Sequence, residues 1–443
     1  MPKGRPMIIG IFVVWSVLIL TAFFKYTLSY DPFFGTAKNV IYRYQVRGEI
    51  RDRNGQILAY GFSPRKYPIG AAGGPIIGVT SPEIGSEGYI EQTYAEQMIA
   101  DKKSKWWYLL NQGERGHTLK TTIDKNLQLI AYKAINGYKG AVVIMMLNGE
   151  ILASVSVPSY DPNKMTKRYH AELLGSNERP FFNRALYGKY EPGSVWKTVI
   201  ALTLLEKNYQ GKAVKCNGSL KVGNREIKCM APHGLVKDMT DAYILSCNVW
   251  FMQNAMSALD DKSLKKSFKR FMIREIKKDM SKEDIALAAI GQGEVLVSPI
   301  ELARLAATIG NNGRFPVPQI VKGFPLWLGT ELSNKNTGNA IEKSYAMKLM
   351  DMMKLVVKKG TARGLSDYQR KGYFIAAKTG TSERDTSKGK VNNAVLIGLA
   401  GRSKNKPEIA FSIVIEDIHG YGGTVCVPIM KEILDFYFLN GNK

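Results

Sequence analysis

The stretch Tyr190-Glu-Pro-Gly-Ser-Val-Trp-Lys197 runs directly into the apolar segment Thr198–Leu205. Pro192-Gly193 makes a sharp entry and the pattern behind it is helical. Ser194 therefore falls near the first turn of a helix, with Lys197 on the same face one turn later. An ammonium held there loses its charge if it is desolvated or set beside other cations, and can then take the proton of Ser194. The partial positive charge of the helix start favours the oxyanion that develops when a serine attacks a carbonyl.

By itself the Ser-x-x-Lys spacing carries little, because it recurs at Ser63/Lys66, Ser263/Lys266, Ser387/Lys390 and Ser403/Lys406. Those pairs lie in charged or turn-like surroundings, and Ser194 alone has both a Pro-Gly entry and a long apolar helix behind it. The bland alternative is a helix cap with a solvated lysine. Two further elements weigh against it. Ser246-Cys247-Asn248 sets a serine and an asparagine two apart inside an apolar stretch, where polar groups need partners. Ile375-Ala-Ala-Lys-Thr-Gly-Thr-Ser382 reads as a strand whose Gly380 lets a ligand approach the backbone, with Lys378, Thr379 and Thr381 presenting donors to a carboxylate. Alone, the first could be a buried cap and the second a strand end with a turn glycine.

Working outward, clear strands at Ala141–Met146, Ile151–Val157, Ala394–Gly398 and Ile409–Ile415 alternate with helical stretches at Ile300–Ile309 and Ser344–Val357. Residues 117–443 thus read as one α+β domain. Before it, residues 38–115 hold Gly- and Pro-rich pieces, and Asn54-Gly55 between short apolar stretches predicts a hairpin with a two-residue turn, so a small β-rich module is expected.

Length and charge narrow the function. The 443 residues suggest two or three domains, and 62 Lys and Arg against 38 Asp and Glu leave a net charge of +24. The basic stretches Lys262–Lys266 and Lys277–Lys278 lack interleaved aromatics and read as solvated helix faces, so nucleic acid is not the expected partner; an anionic surface or polymer suits the charge as well. With four Cys, four His and no Cys-x-x-Cys pair, neither a metal site nor a disulfide-stapled fold is expected. Met7–Phe24 is an uncharged apolar run of 18 residues, just long enough to span a bilayer. Lys3 and Arg5 precede it and no small-x-small cleavage site follows. An uncleaved anchor is expected, with the amino terminus in the cytoplasm and Tyr30 onward outside.

In order and spacing, the elements around Ser194, Ser246 and Lys378 resemble the penicillin-binding transpeptidases and serine β-lactamases. Arg47-Gly48, Asp52-Arg53 and Gly55 resemble the start of the pedestal of monofunctional class B penicillin-binding proteins, and Thr122–Gln128 their linker into the transpeptidase domain. Asn183-Arg184-Ala185, Gly291-Gln-Gly293 with Ser298-Pro299, Asn311–Gly313 and Gly360-Thr361-Ala362 also match the family's spacing. Three positions depart from it: Gly88-Tyr-Ile-Glu91 carries one residue more than the usual Gly-apolar-Glu step, Ala377 stands where a glycine is most often found, and Cys426-Val-Pro428 replaces a small-small-Pro.

The resemblance implies a fold and a reaction. The fold is an antiparallel sheet sandwiched by helices (117–443), preceded by a pedestal (30–116) and a cytoplasmic stub with its transmembrane anchor (1–29). No glycan-polymerising domain is expected ahead of the pedestal. Ser194 would attack the carbonyl between the two terminal D-alanines of a peptidoglycan stem peptide with Lys197 as base, and an amine from a neighbouring strand would resolve the acyl-enzyme. Ser246 would relay the proton to the leaving group, and Asn248 would hold Lys197 and the substrate amide. Lys378, Thr379, Gly380 and Thr381 would bind the terminal carboxylate, and the N–H groups of Ser194 and Thr381 would form the oxyanion hole. No cofactor is implied. β-Lactams would be covalent inhibitors, and a polytopic glycan polymerase in the cytoplasmic (inner) membrane is the implied partner. Two alternatives are a membrane-anchored penicillin-binding scaffold or sensor that activates such a polymerase, and a class D-like β-lactamase; release of bound penicillin within seconds would mark the latter.

Cys216 and Cys229 bracket a second hairpin candidate with its turn at Gly223-Asn224, which would set the two thiols opposite one another. In an oxidising compartment they could close a bridge, the alternative being two reduced, buried thiols; Cys247 is expected to stay a buried thiol.

Overall fold

The computed structural model describes residues 47–61, 64–81, 83–99, 116–271, 279–323, 338, 340–386 and 389–440. The apolar run Met7–Phe24, the pair Lys277–Lys278 and the serines Ser63 and Ser387 lie outside them. Among the described residues no helix is long and apolar enough to cross a membrane.

The chain enters through β1 (Ile50–Arg51), which turns back on β2 (Ile57–Ala59). The hairpin is where Asn54-Gly55 placed it, but the two-residue turn is corrected. Asp52 N–H pairs with Gln56 O at 2.8 Å, so the loop has three residues, and of the dipeptide only Gly55 has a positive φ, 87°. The Asp52 carboxylate imposes this shape by accepting the N–H groups of Asn54 and Gln56 at 2.8 and 2.7 Å. The expected β-rich module is likewise broken up. Its strands are two or three residues long and alternate with one-turn helices at Gly74–Ile77, Tyr89–Thr93 and Ala95–Met98, because Gly73, Gly78, Gly85 and Gly88 interrupt any longer run.

At its centre Glu91, fully buried, accepts Arg47 at 2.9 Å and Arg65 at 2.5 Å, and the Tyr67 hydroxyl at 3.3 Å. The carboxylate of the lengthened Gly88–Glu91 step is therefore a structural hub. β3 (Leu119–Thr121) pairs with β1 in parallel and with Val321–Gly323, so a four-stranded sheet joins the amino-terminal residues to the main domain.

Asp124 caps α1 (Lys125–Ile135), accepting the N–H groups of Asn126 and Leu127. Two strands follow, β4 (Gly140–Met146), apolar on both faces, and β5 (Ile151–Val157), which carries Ser154 and Ser156 on one face; both are almost wholly buried, as strands covered on two sides are. The middle of the domain is helical: α2 (Lys197–Glu206), α3 (Met239–Leu245), α4 (Asn248–Ala258), α5 (Pro299–Gly310) and α6 (Lys343–Lys359). Then come β6 (Phe374–Thr386), β7 (Gly389–Gly401), β8 (Ile409–Ile418) and α7 (Gly422–Asn440).

These strands form one five-stranded antiparallel sheet in the order β6-β7-β8-β4-β5. α7 and α1 pack on each other and on the sheet, while α5 and α6 also pack on each other and on the sheet. The expected helix-covered antiparallel sheet is what forms. β6 is an edge strand, and the turn that leads into α2 lies along it.

Candidate active site

Ser194 sits in a short 3-10 turn, Gly193–Trp196, that passes into α2 at Lys197. From Lys197 to Leu205 every side chain of α2 is buried, so the turn is seated on a helix with no free face. Two backbone approaches fix it against β6. Gly193 has φ 53°, and a Cβ there would fall 2.3 Å from Thr381 O; a Cβ on Gly380 would fall 2.6 Å from Pro192 O. Neither position admits a side chain without moving a main chain. Gly193 N–H also bonds to Gly291 O at 2.9 Å, and Gly293 N–H to Glu191 Oε1 at 2.9 Å, so the Gly291–Gly293 element braces the turn from its other side.

The Lys197 ammonium is wholly buried and reaches Ser194 Oγ at 2.9 Å. It also donates to Asn248 Oδ1 at 2.6 Å and to Ser246 O at 2.7 Å, with Ser246 Oγ at 3.4 Å. Burial pushes its pKa down to about 8. Ser246, which ends α3, has φ 55°, a conformation that a residue with a side chain holds only when its surroundings enforce it. That turn aims its hydroxyl between two amines, since Lys378 Nζ donates to Ser246 Oγ at 2.8 Å and to Thr379 O at 3.0 Å. Lys378 is also fully buried, and burial together with the nearby Lys197 charge holds its pKa well below the usual lysine range.

The structure thus brings all three sequence elements together. On β6, Thr379 Oγ1 lies 2.5 Å from Thr361 Oγ1, and Thr381 Oγ1 accepts Gly422 N–H at 3.1 Å. Asn248 Nδ2 donates to Lys228 O at 2.7 Å, which ties the amide to the strand Arg225–Lys228 while its oxygen receives Lys197. The competing serines fall elsewhere: Ser263 belongs to the capping box of the helix Asp261–Arg270, and Ser403 O accepts Lys406 N–H in a tight turn. Reasoning along the sequence missed Tyr243, one turn before Ser246, whose hydroxyl lies 2.7 Å from Thr198 Oγ1 and whose ring Lys378 Nζ overlies at 5.6 Å. Its spacing from Ser246 was the available signal.

Residues 140–435 match the family model described as the penicillin binding protein transpeptidase domain. The chain belongs to this family. The chain is 26% identical over 424 residues to peptidoglycan D,D-transpeptidase MrdA of Acinetobacter baumannii, covering 84% of this chain and 62% of that relative. It is 26% identical over 412 residues to FtsI of Escherichia coli, at 84% and 66%, and over 446 residues to PbpA of Mycolicibacterium smegmatis, at 88% of both. The chain therefore spans under two thirds of the length of the MrdA and FtsI relatives. In fold it is similar to the penicillin G acyl-enzyme complex of penicillin-binding protein A from M. tuberculosis, with a TM-score of 0.75 at 23% identity, over 88% of this chain and 99% of that one.

The cysteines bear on two expectations. The hairpin Ser219–Val222 with Arg225–Lys228 forms as expected, and Cys216, on Val214–Cys216 paired with Gly234–Val236, meets Cys229 at its base. Its sulfur is 3.7 Å from that of Cys229, and both are free thiols. The expectation of no metal site also meets a contrary finding: Cys216, Cys229, His233 and Cys247 gather with one ligand atom each inside 4.8 Å. Nothing in the spacing along the chain singled out His233.

Proposed function

We propose that the chain is a penicillin-sensitive peptidoglycan D,D-transpeptidase that cross-links stem peptides through a Ser194 acyl-enzyme outside the cytoplasmic membrane. The observation that carries the reading is the buried Lys197 Nζ, 2.9 Å from Ser194 Oγ, with its pKa lowered to about 8. In this reading the neutral Lys197 amine takes the Ser194 proton as Oγ attacks the penultimate D-alanine carbonyl. The tetrahedral oxyanion is held by the N–H groups of Ser194 and Thr381. Ser246, in contact with both amines, passes a proton to the departing D-alanine amine. The C–N bond breaks, and an acceptor amine later displaces Ser194 from the ester. Asn248 holds Lys197 and the substrate amide. Lys378, Thr379 and Thr381 bind the terminal carboxylate, with Gly380 keeping the strand within reach.

The same reading assigns residues 1–29 to a cytoplasmic stub and membrane anchor, 30–116 to a pedestal and 117–443 to the catalytic domain. It takes a polytopic glycan polymerase as the membrane partner. The test is covalent labelling by fluorescent penicillin: wild type is expected to label and hold the label for many minutes, and Ser194→Ala not to label. Labelling of Ser194→Ala would sink the assignment.

A further inference from the structure

Four side chains that the proposed reaction does not use converge beside the active site. Cys216 ends the strand Val214–Cys216, Cys229 follows the strand Arg225–Lys228, His233 lies in the loop after it, and Cys247 caps α4. Their ligand atoms all lie within 4.8 Å of one another. The Cys216 and Cys229 sulfurs are 3.7 Å apart, those of Cys229 and Cys247 4.0 Å, and Cys216 Sγ is 3.5 Å from His233 Nδ1.

These separations have a chemical meaning. A tetrahedral zinc with Zn–S of about 2.3 Å and Zn–N of about 2.0 Å sets its sulfurs roughly 3.8 Å apart and sulfur from nitrogen roughly 3.5 Å apart. A disulfide would need about 2.05 Å, and two thiols packed as hydrophobes would need no imidazole nitrogen turned toward them. The sulfurs also receive backbone donors, Asn248 N–H to Cys229 Sγ at 3.2 Å and Trp250 N–H to Cys247 Sγ at 3.4 Å, which favour thiolate over thiol.

We infer that Cys216, Cys229, His233 and Cys247 form a closed, tetrahedral structural site for Zn²⁺. Three thiolates and one imidazole select a borderline-soft ion over calcium or magnesium, and four protein ligands leave no position for a reacting water. The thiol protons go to solvent on binding and no oxidation state changes. The site ties the strand before Cys229 to the turn before α4. Ser246 and Asn248 flank the ligand Cys247, and Asn248 is held by Lys228 O and Cys229 Sγ while it receives Lys197. The ion thus fixes the place of Ser246 and Asn248 without touching substrate. This stands on the cluster alone and is independent of the transpeptidase reading.

The test measures metal in the full-length protein, expressed in its own membrane and purified in detergent without chelator. About one zinc per chain is expected by elemental mass spectrometry, and Co²⁺ substituted for it should give the thiolate charge-transfer and visible bands of a tetrahedral site. Cys216→Ser with His233→Ala should lose the zinc, and Cys426→Ser, at a buried thiol outside the cluster, should keep it. Stripping the wild type with a chelator should lower Tm and slow penicillin acylation about tenfold, both restored by zinc. Should the double variant not fold, the wild-type zinc content and cobalt spectrum decide alone. Wild type with no bound zinc, or with Cys216 and Cys229 recovered as a disulfide-linked peptide, overturns the inference.

Discussion

Lys197 gives the most demanding test of the proposed reaction, because its burial sets a pH dependence within the range where acylation is followed. With the folded pKa lowered to about 8, the neutral, proton-accepting form is about 1% of the enzyme at pH 6, about 10% at pH 7 and half at pH 8. Acylation that needs this form should rise about 50-fold from pH 6 to 8 and only about twofold more above it. Lys378 is also held below the usual lysine range, and its loss of charge acts in the opposite sense, by weakening recognition of the ligand carboxylate. A carboxylate bound as proposed would give Lys378 a counter-charge and push its titration upward in the complex.

The two effects separate kinetically. Stopped-flow acylation with a fluorescent penicillin should show the rising limb in the limiting rate constant k2 and any falling limb in the dissociation constant K. Lys197→Ala should lose about 10²–10⁴ in k2 and, with it, the rising limb. A wild-type k2 that is flat between pH 6 and 8, or a Lys197→Ala variant that keeps the limb, would refute Lys197 as the base.

Ser263→Ala should label with penicillin like wild type, since Ser263 serves only the capping box of Asp261–Arg270, and should lose about 1 kcal/mol of stability in urea. Gly193→Ala should fold but acylate poorly, because its Cβ would drive the Ser194 turn away from Thr381 O; unchanged acylation would show that the close approach is not needed. Glu91→Ala should destabilise by about 3–5 kcal/mol by leaving Arg47 and Arg65 buried without their counter-charge, and a shift under about 1 kcal/mol in denaturant titration would refute its role as hub. A reporter fused after Lys443 should be active only outside the cytoplasm; cytoplasmic activity would remove access to the proposed substrate.

What could be read from the sequence was local. Ser194 and Lys197 are one helical turn apart, so their meeting follows from spacing alone, and the apolar strands Ile151–Val157 and Ile409–Ile415 declare themselves by composition. The convergence of Ser246, Asn248 and Lys378 on Lys197 was reached through family resemblance, because nothing in the spacing of residues so far apart sets a distance. Strand length was underread where composition turns polar. β6 and β7 stay paired out to Thr386 and Gly389, beyond Asn392 where β8 leaves the ladder, and main-chain hydrogen bonding does not depend on apolar side chains. The Cys216–Cys247 cluster was missed for a related reason. Beyond the Cys216–Cys229 pair, its members lie in a loop (His233) and at a helix cap (Cys247), and only the packed fold brings these to the pair.

The burial of two lysines is unfavourable for folding, and that is informative about what the fold is for. Lowering Lys197 from the ordinary lysine value to about 8 corresponds to about 3 kcal/mol of destabilisation at pH 7, the unfolded chain binding its proton more tightly there. This penalty is present below pH 8 and fades as pH rises toward the unfolded value, so the term makes the protein more stable in base. A structural lysine would gain by swinging into solvent, yet Lys197 donates to three separate residues and Lys378 to two. What the arrangement secures is reactivity. An exposed lysine is neutral in about 0.04% of molecules at pH 7, and the buried one in about 10%, a gain of roughly 200-fold in the species that can take the Ser194 proton. In the proposed reaction the same enclosure serves Lys378, since a carboxylate bound beside it would offset the repulsion of Lys197. On the proposed function, substrate binding would relieve part of the penalty that the folded protein carries, and so would couple recognition of the terminal carboxylate to the basicity of the amine beside Ser194.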